Sequence, residues 1–164
     1  MYPVRLGYER ARRRLNRLLE HGHCAEALVS SMATVEKTLR RTLRQLIVST
    51  GFTSADAEKL VRKMHGLHNI KGQWALYDTR RRGLVEIIGN QQWGILKNRA
   101  KMRNNLIHGT QVYELKTCER EAKKVIAALD AIKECLEDTY GYCGWEKISG
   151  RKTRRLHLEP KVKV

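Results

Sequence analysis

Apolar residues recur every three or four positions along most of this chain, the period of amphipathic helices. Tyr8, Ala11, Leu15, Leu18 and Leu19 predict a first helix from about Val4 to Glu20, with Gly22 ending it. Leu28, Met32, Val35, Leu39, Leu43, Leu46 and Ile47 predict a long second helix, closed near Gly51. Thr53 to Asp56 has the form of a capping box, and Ala57, Leu60, Val61 and Met64 give the short helix after it an apolar face. Gly66 to Gly72 reads as a loop, which Trp74, Leu76 and Tyr77 pack against the core. A short apolar cluster, Leu84, Val85, Ile87 and Ile88, ends at Gly89 and Asn90. With Asn90 as its N-cap, a helix over about Gln91–His108 follows. The last long helix begins near Thr117 and carries Val125, Ile126, Leu129, Ile132 and Leu136 on one face. Tyr140, Tyr142 and Trp145 are expected to pack where it ends.

The two prolines, Pro3 and Pro160, lie near the ends, so none interrupts these segments. No run alternates apolar with polar residues over more than a few positions. The pattern predicts an all-α fold, an antiparallel bundle of about five to six helices. Residues 1–150 form one helical domain, with the Arg-rich first helix included, and 151–164 form a basic tail. At 164 residues the chain is long enough to bury a single core.

Charge changes the picture more than any other compositional feature. Thirty-three Lys and Arg against 17 Asp and Glu leave +16. Such an excess concentrates polyanions and speeds their association, which makes nucleic acid the usual partner and an anionic membrane the less common one. A solvated basic surface, or a protein neutralised by an acidic partner, would show the same charge. The basic residues gather in three places: Arg5, Arg10, Arg12, Arg13, Arg14 and Arg17 on the first helix, the Arg80-Arg81-Arg82 run, and the tail with Arg151, Lys152, Arg154, Arg155, Lys161 and Lys163. The tail reads as mobile and adhesive to polyanions.

Met1 to Leu19 is too charged for a signal sequence or a membrane span, so a cytoplasmic protein with no membrane partner is expected. Cys24, Cys118, Cys135 and Cys143 lack metal-binding spacing and read as free thiols. His21, His23 and Cys24 lie close together, as do His65 and His68, yet neither group has a complementary second half. No metal and no cofactor is expected.

The stretch with most chemistry is Lys101-Met102-Arg103-Asn104-Asn105-Leu106-Ile107-His108-Gly109. On an ideal wheel, at about 100° per residue from Ile95, Leu96 falls near ~100°, Met102 near ~340° and Leu106 near ~20°. Arg103 falls near ~80°, inside the arc those apolar residues define. A guanidinium there pairs with a buried carboxylate, lines a crevice or faces a subunit interface, because burying it alone costs several kcal/mol. His108 lies about 140° away on the same wheel. An unwound last turn, or a second copy of the helix, could bring the two to one site. The partial negative charge of a helix C-terminus suits a histidine, and a histidine before glycine is also a common cap.

Arg103-Asn104-Asn105-Leu106-Ile107-His108 resembles the signature of the HEPN superfamily: arginine, a polar residue directly after it, and histidine beyond four intervening residues. The resemblance covers roughly Cys24 to Tyr140 and leaves out the Arg-rich first helix and the basic tail. It implies a HEPN-like bundle that dimerises so that two motifs share a cleft. It further implies a metal-independent endoribonuclease, a toxin or antiviral defence component with an antitoxin or other defence-system protein as partner. By this resemblance His108 is the general base or acid at the ribose 2′-hydroxyl, Arg103 stabilises charge on the phosphate, and Asn104 orients one of them. Arg80, Arg81, Arg82, Arg99 and Lys101 are the expected RNA-binding cations. Other members of the superfamily only bind RNA or a protein, and a basic helical scaffold of a ribonucleoprotein complex is a further alternative.

Overall fold

The computed structural model describes residues 7–147 and 150–154. Among them are seven helices and no strand: α1 (Tyr8–Glu20), α2 (Cys24–Ser49), α3 (Ser54–Arg62), α4 (Gly66–Tyr77), α5 (Leu84–Ile88), α6 (Asn90–His108) and α7 (Leu115–Tyr140). The all-α expectation holds, and none of these helices is long and apolar enough to cross a membrane. The helices fall into two compact units. Unit 1 comprises the chain up to Val35 together with Gly94–Asp130, and unit 2 comprises Glu36–Trp93 and the chain from Ala131. By these bounds α2, α6 and α7 each give residues to both units.

Unit 1 buries Leu15 of α1, Ala27, Leu28, Met32 and Val35 of α2, Leu96 and Met102 of α6, and Cys118, Ala122, Val125, Ile126 and Leu129 of α7. Each large aliphatic side chain withdrawn from water in this way contributes about 1.5–3 kcal/mol. The Tyr8 hydroxyl bonds the Asp130 carboxylate, and Arg12 Nε lies 3.0 Å from both its oxygens. Arg12 is therefore turned away from the basic outer face expected for it, towards α7. At the other end of α1 the chain turns through Gly22 into Cys24, whose thiol is pushed up by burial and by the charge of Glu119 on α7. Asp130 lies late in α7 and Glu119 early, so α1 runs antiparallel to α7.

Unit 2 buries Leu39, Leu43, Leu46 and Ile47 of α2 with Ala57, Val61, Ile70, Trp74, Leu84, Ile88, Ile132, Leu136 and Tyr140. Thr53 caps α3, with Asp56 N donating to Thr53 Oγ1 at 3.1 Å, but the reciprocal half of the capping box is missing: Asp56 Oδ2 accepts from the Thr53 hydroxyl at 2.7 Å and not from its backbone N–H.

Four further expectations need correction. Gly66–Gly72 is not a loop but the first half of α4, because Leu67, Ile70 and Trp74 bury one helical face while Gly72 stays on the exposed side. This helix brings the count to seven. Leu76 does not pack but is 55% exposed. Asn90 is the first helical residue of α6 rather than its cap, since Gly89, at φ 85°, supplies the carbonyl that Trp93 N reaches at 3.1 Å. The start of the tail is docked rather than loose. Arg151 N donates to Ser54 Oγ at 2.8 Å, Ser54 N donates to Arg151 O at 2.8 Å, and Arg154 Nε donates to Asp56 Oδ2 at 2.9 Å. Arg5, and Arg155, Lys161 and Lys163 of the tail, lie outside the described residues.

Candidate active site at the end of α6

Helix α6 keeps its form through the whole motif and then stops sharply. Gly109 N donates to Leu106 O at 3.4 Å, and Thr110 N donates to Asn105 O at 3.0 Å. Gly109 itself sits at φ 63°, where glycine carries no Cβ penalty. This paired closure is a Schellman cap, which satisfies two of the carbonyls a helix end leaves unpaired. Beyond it, Asn105 Nδ2 donates to Gln111 Oε1 at 3.0 Å and to Tyr113 Oη at 2.8 Å. The side chain of Asn105 thus ties the α6–α7 turn back to the helix that carries the motif.

Arg103 is half-buried, as its wheel position implies, and Asn104 and His108 are exposed. Arg103 Nε and Nη2 donate to Asn104 Oδ1 at 3.2 and 3.0 Å, so the amide holds the guanidinium fork. Two of the three motif side chains are joined directly. His108 is not drawn to them, because the last turn does not unwind.

Three large aliphatic side chains near this end of α6 are exposed. Ile107 is 57% exposed, Val112 93% and Leu115 61%. All three fall within nine residues of chain, beside three polar motif residues. Clustered exposed aliphatics of this kind mark interaction surfaces more often than lone ones do.

The other expected cations divide. Lys101 is exposed. Arg99 was expected at RNA, yet its guanidinium forms an ion pair with Glu121 of α7, and the two side chains are 17% and 8% exposed. Burial pushes the Glu121 carboxyl up, but hydrogen bonds from Arg120, Lys124 and Arg99 outweigh it and hold the group at about 2. The helical wheel carries the signal for this pairing. Arg99 falls near ~40°, at the centre of the apolar arc, where a guanidinium needs a carboxylate.

In unit 2, the Arg80-Arg81-Arg82 run surrounds a buried carboxylate. The backbone N–H groups of Arg80 and Arg82 each donate to Asp78 Oδ2 at 2.9 Å, and Arg82 Nη2 lies 3.0 Å from Oδ1. Tyr140 Oη donates to Asp78 Oδ1 at 2.7 Å and accepts from Trp74 Nε1 at 3.0 Å. Burial resists ionisation of Asp78, yet the bonds from Arg82 and Tyr140 prevail and hold its carboxyl below the usual range. Arg81 is exposed, at φ 59°, and donates to Leu76 O at 3.1 Å. Arg80 is exposed.

Among the described residues, one group with metal-ligating side chains was missed at the level of sequence: Glu137, Cys143 and Glu146 of unit 2. Cys143 Sγ donates to Glu146 Oε1 at 3.0 Å and lies 3.3 Å from Glu137 Oε1, while Lys133 Nζ holds both oxygens of Glu137 at 2.7 Å. Burial first, then Glu146, pushes the thiol well above its ordinary range. Lys133 thus sets a positive charge against Glu137, and the thiol donates to the carboxylate of Glu146. The four cysteines are free thiols.

Comparison with known proteins finds no family model, no curated protein and no solved structure that matches the chain.

Proposed function

We propose that the chain is a HEPN-type, metal-independent endoribonuclease that works as a homodimer in toxin or defence chemistry. One observation carries the reading: α6 remains helical to His108, which separates it from the Arg103–Asn104 pair, beside an exposed apolar surface at Ile107, Val112 and Leu115. A single chain then offers half a site. A second copy seated on the apolar surface completes it, with the histidine of one protomer facing the arginine of its partner.

In that cleft one His108 removes the proton of a ribose 2′-hydroxyl, and the 2′-oxygen attacks the adjacent phosphorus. The bond to the 5′-oxygen breaks, and the second His108 protonates that leaving oxygen. Arg103, held by Asn104, faces the charge that builds on the non-bridging phosphate oxygens. The products are a 2′,3′-cyclic phosphate and a 5′-hydroxyl, and DNA, which lacks the attacking group, is not a substrate.

A non-catalytic RNA- or protein-binding module of the same family is the second reading, favoured by the separation of His108 from Arg103 within one chain. The test is RNA cleavage in EDTA. Arg103→Ala and His108→Ala each abolish cleavage and leave the dimer's molar mass unchanged if the proposal holds. Cleavage that survives both substitutions defeats it. Tight RNA binding without cleavage by the unaltered protein gives the second reading.

A further inference from the structure

The Arg-rich helix α1 lies outside the chemistry just described. Its buried residue is Leu15, and Tyr8 and Arg12 tie the same side of the helix to Asp130. On the wheel Arg10, Arg13, Arg14 and Arg17 fall within an arc of about 100°, centred nearly opposite Leu15. These four side chains line an open groove of about 340 Å³. The only acids of α1, Glu9 and Glu20, stand near its two ends.

The chemistry of this face narrows the partner. A protein interface of useful affinity needs aromatic or aliphatic anchors at its centre, and the described residues that line the groove are four arginines. An anionic membrane needs an apolar helix face free to enter the lipid, and the apolar face of α1 is turned to unit 1 through Leu15. Guanidinium groups without anchors suit phosphate, which they grip two bonds at a time. From Arg10 to Arg17 the helix rises about 10 Å, the length of about three stacked nucleotides of one strand.

We infer that the outer face of α1 is a backbone-binding track for RNA, reading charge and not sequence. The choice of RNA rests on the function proposed above. Because α1 runs antiparallel to α7, its Arg17 end points along unit 1 towards the α6–α7 turn. A strand held there is delivered to the end of α6 from outside the cleft.

The experiment uses the full chain and a 2′-O-methyl oligoribonucleotide, which cannot be cleaved through its 2′-oxygen, with affinity measured from low to moderate salt. Changing Arg10, Arg13, Arg14 and Arg17 together to Gln lowers low-salt affinity by ~10- to 100-fold. The salt dependence falls by up to about three in log–log slope, at about 0.7 for each phosphate no longer neutralised. The same four changes to Lys retain the slope, since a track of this kind needs charge. An unchanged slope in a quadruple-Gln protein that keeps its helical circular dichroism overturns the inference. If that protein loses helix, Arg13→Gln and Arg17→Gln are read singly: each removes about 0.7 from the slope, and no change in either overturns it. Binding of poly-glutamate through α1, with RNA affinity independent of it, also overturns it in favour of a protein partner. An α1-dependent slope in a protein that cuts no transcript keeps the track and removes the nuclease. Cleavage with an α1-independent slope does the reverse.

Discussion

Arginine lies near the end of both α4 and α6, after the first helix and within the second, and the two ends are finished in opposite ways. After α4, Asp78 gathers two backbone N–H groups, the Arg82 guanidinium and the Tyr140 hydroxyl, with the carboxylate wholly buried. At the end of α6, the exposed amide of Asn104 grips the guanidinium of Arg103, and His108, Ile107 and Val112 stand in solvent. A buried carboxylate neutralises an arginine and fixes it for the fold. An amide orients a guanidinium through its oxygen and brings no charge of its own. Basic density in the sequence therefore does not tell an arginine held on a buried carboxylate from one held by an exposed amide; the surroundings do.

The largest test of this contrast is to spoil the open end. Val112→Asp together with Leu115→Asp puts two charges into the proposed dimer contact. We expect a monomer by sedimentation and a loss of RNA cleavage of at least ~10²-fold, the scale of a missing acid–base group. A dimer that still cleaves would place the contact elsewhere. The same logic applied to the closed end predicts lost stability. Asp78→Asn leaves Arg82 without its counter-charge and should cost about 3 kcal/mol in urea unfolding, while residual cleavage per folded molecule is unchanged. Insensitivity there would mean that the closed end is as dispensable as a surface pair.

A smaller effect separates Arg99 from Arg103. The Glu121 carboxyl is held at about 2 when folded, below its ordinary value of 4.5. Its contribution is therefore complete above about pH 4.5 and lost as pH falls towards 2. Glu121→Gln should flatten acid unfolding in that window, whereas Arg103→Ala should leave the Glu121 titration unaltered. Equal flattening by the two variants would show that both arginines serve the same carboxylate. Least of all, Tyr142 carries a buried hydroxyl with no hydrogen-bond partner among the described residues. Tyr142→Phe should be neutral or raise stability by less than about 1 kcal/mol, and a clear loss on melting would reveal a bond to that oxygen.

Much of the fold could be read in the chain because the long helices bury unbroken stripes. Leu28 to Ile47 on α2 and Val125 to Leu136 on α7 need no tertiary information to be recognised. α4 escaped because two glycines and a histidine dilute its stripe, and only Leu67, Ile70 and Trp74 mark it. The polar residues of the site could be located but not sorted. Nothing local links Asp78 to Tyr140, 62 residues away, or Arg99 to Glu121 on the next helix. Those pairings arise from packing, and packing decided which arginines of the expected set were already engaged.

The interleaving of the two units has a consequence for biosynthesis. Unit 1 draws on the first residues of the chain and on Gly94–Asp130. A ribosome adding about 5–20 residues per second therefore releases α1 several seconds before the acceptor for Tyr8 and Arg12 exists. During that interval the arginine helix is a nascent, unanchored polycation in a cell full of RNA. Asp130 is the residue whose arrival ends that exposure.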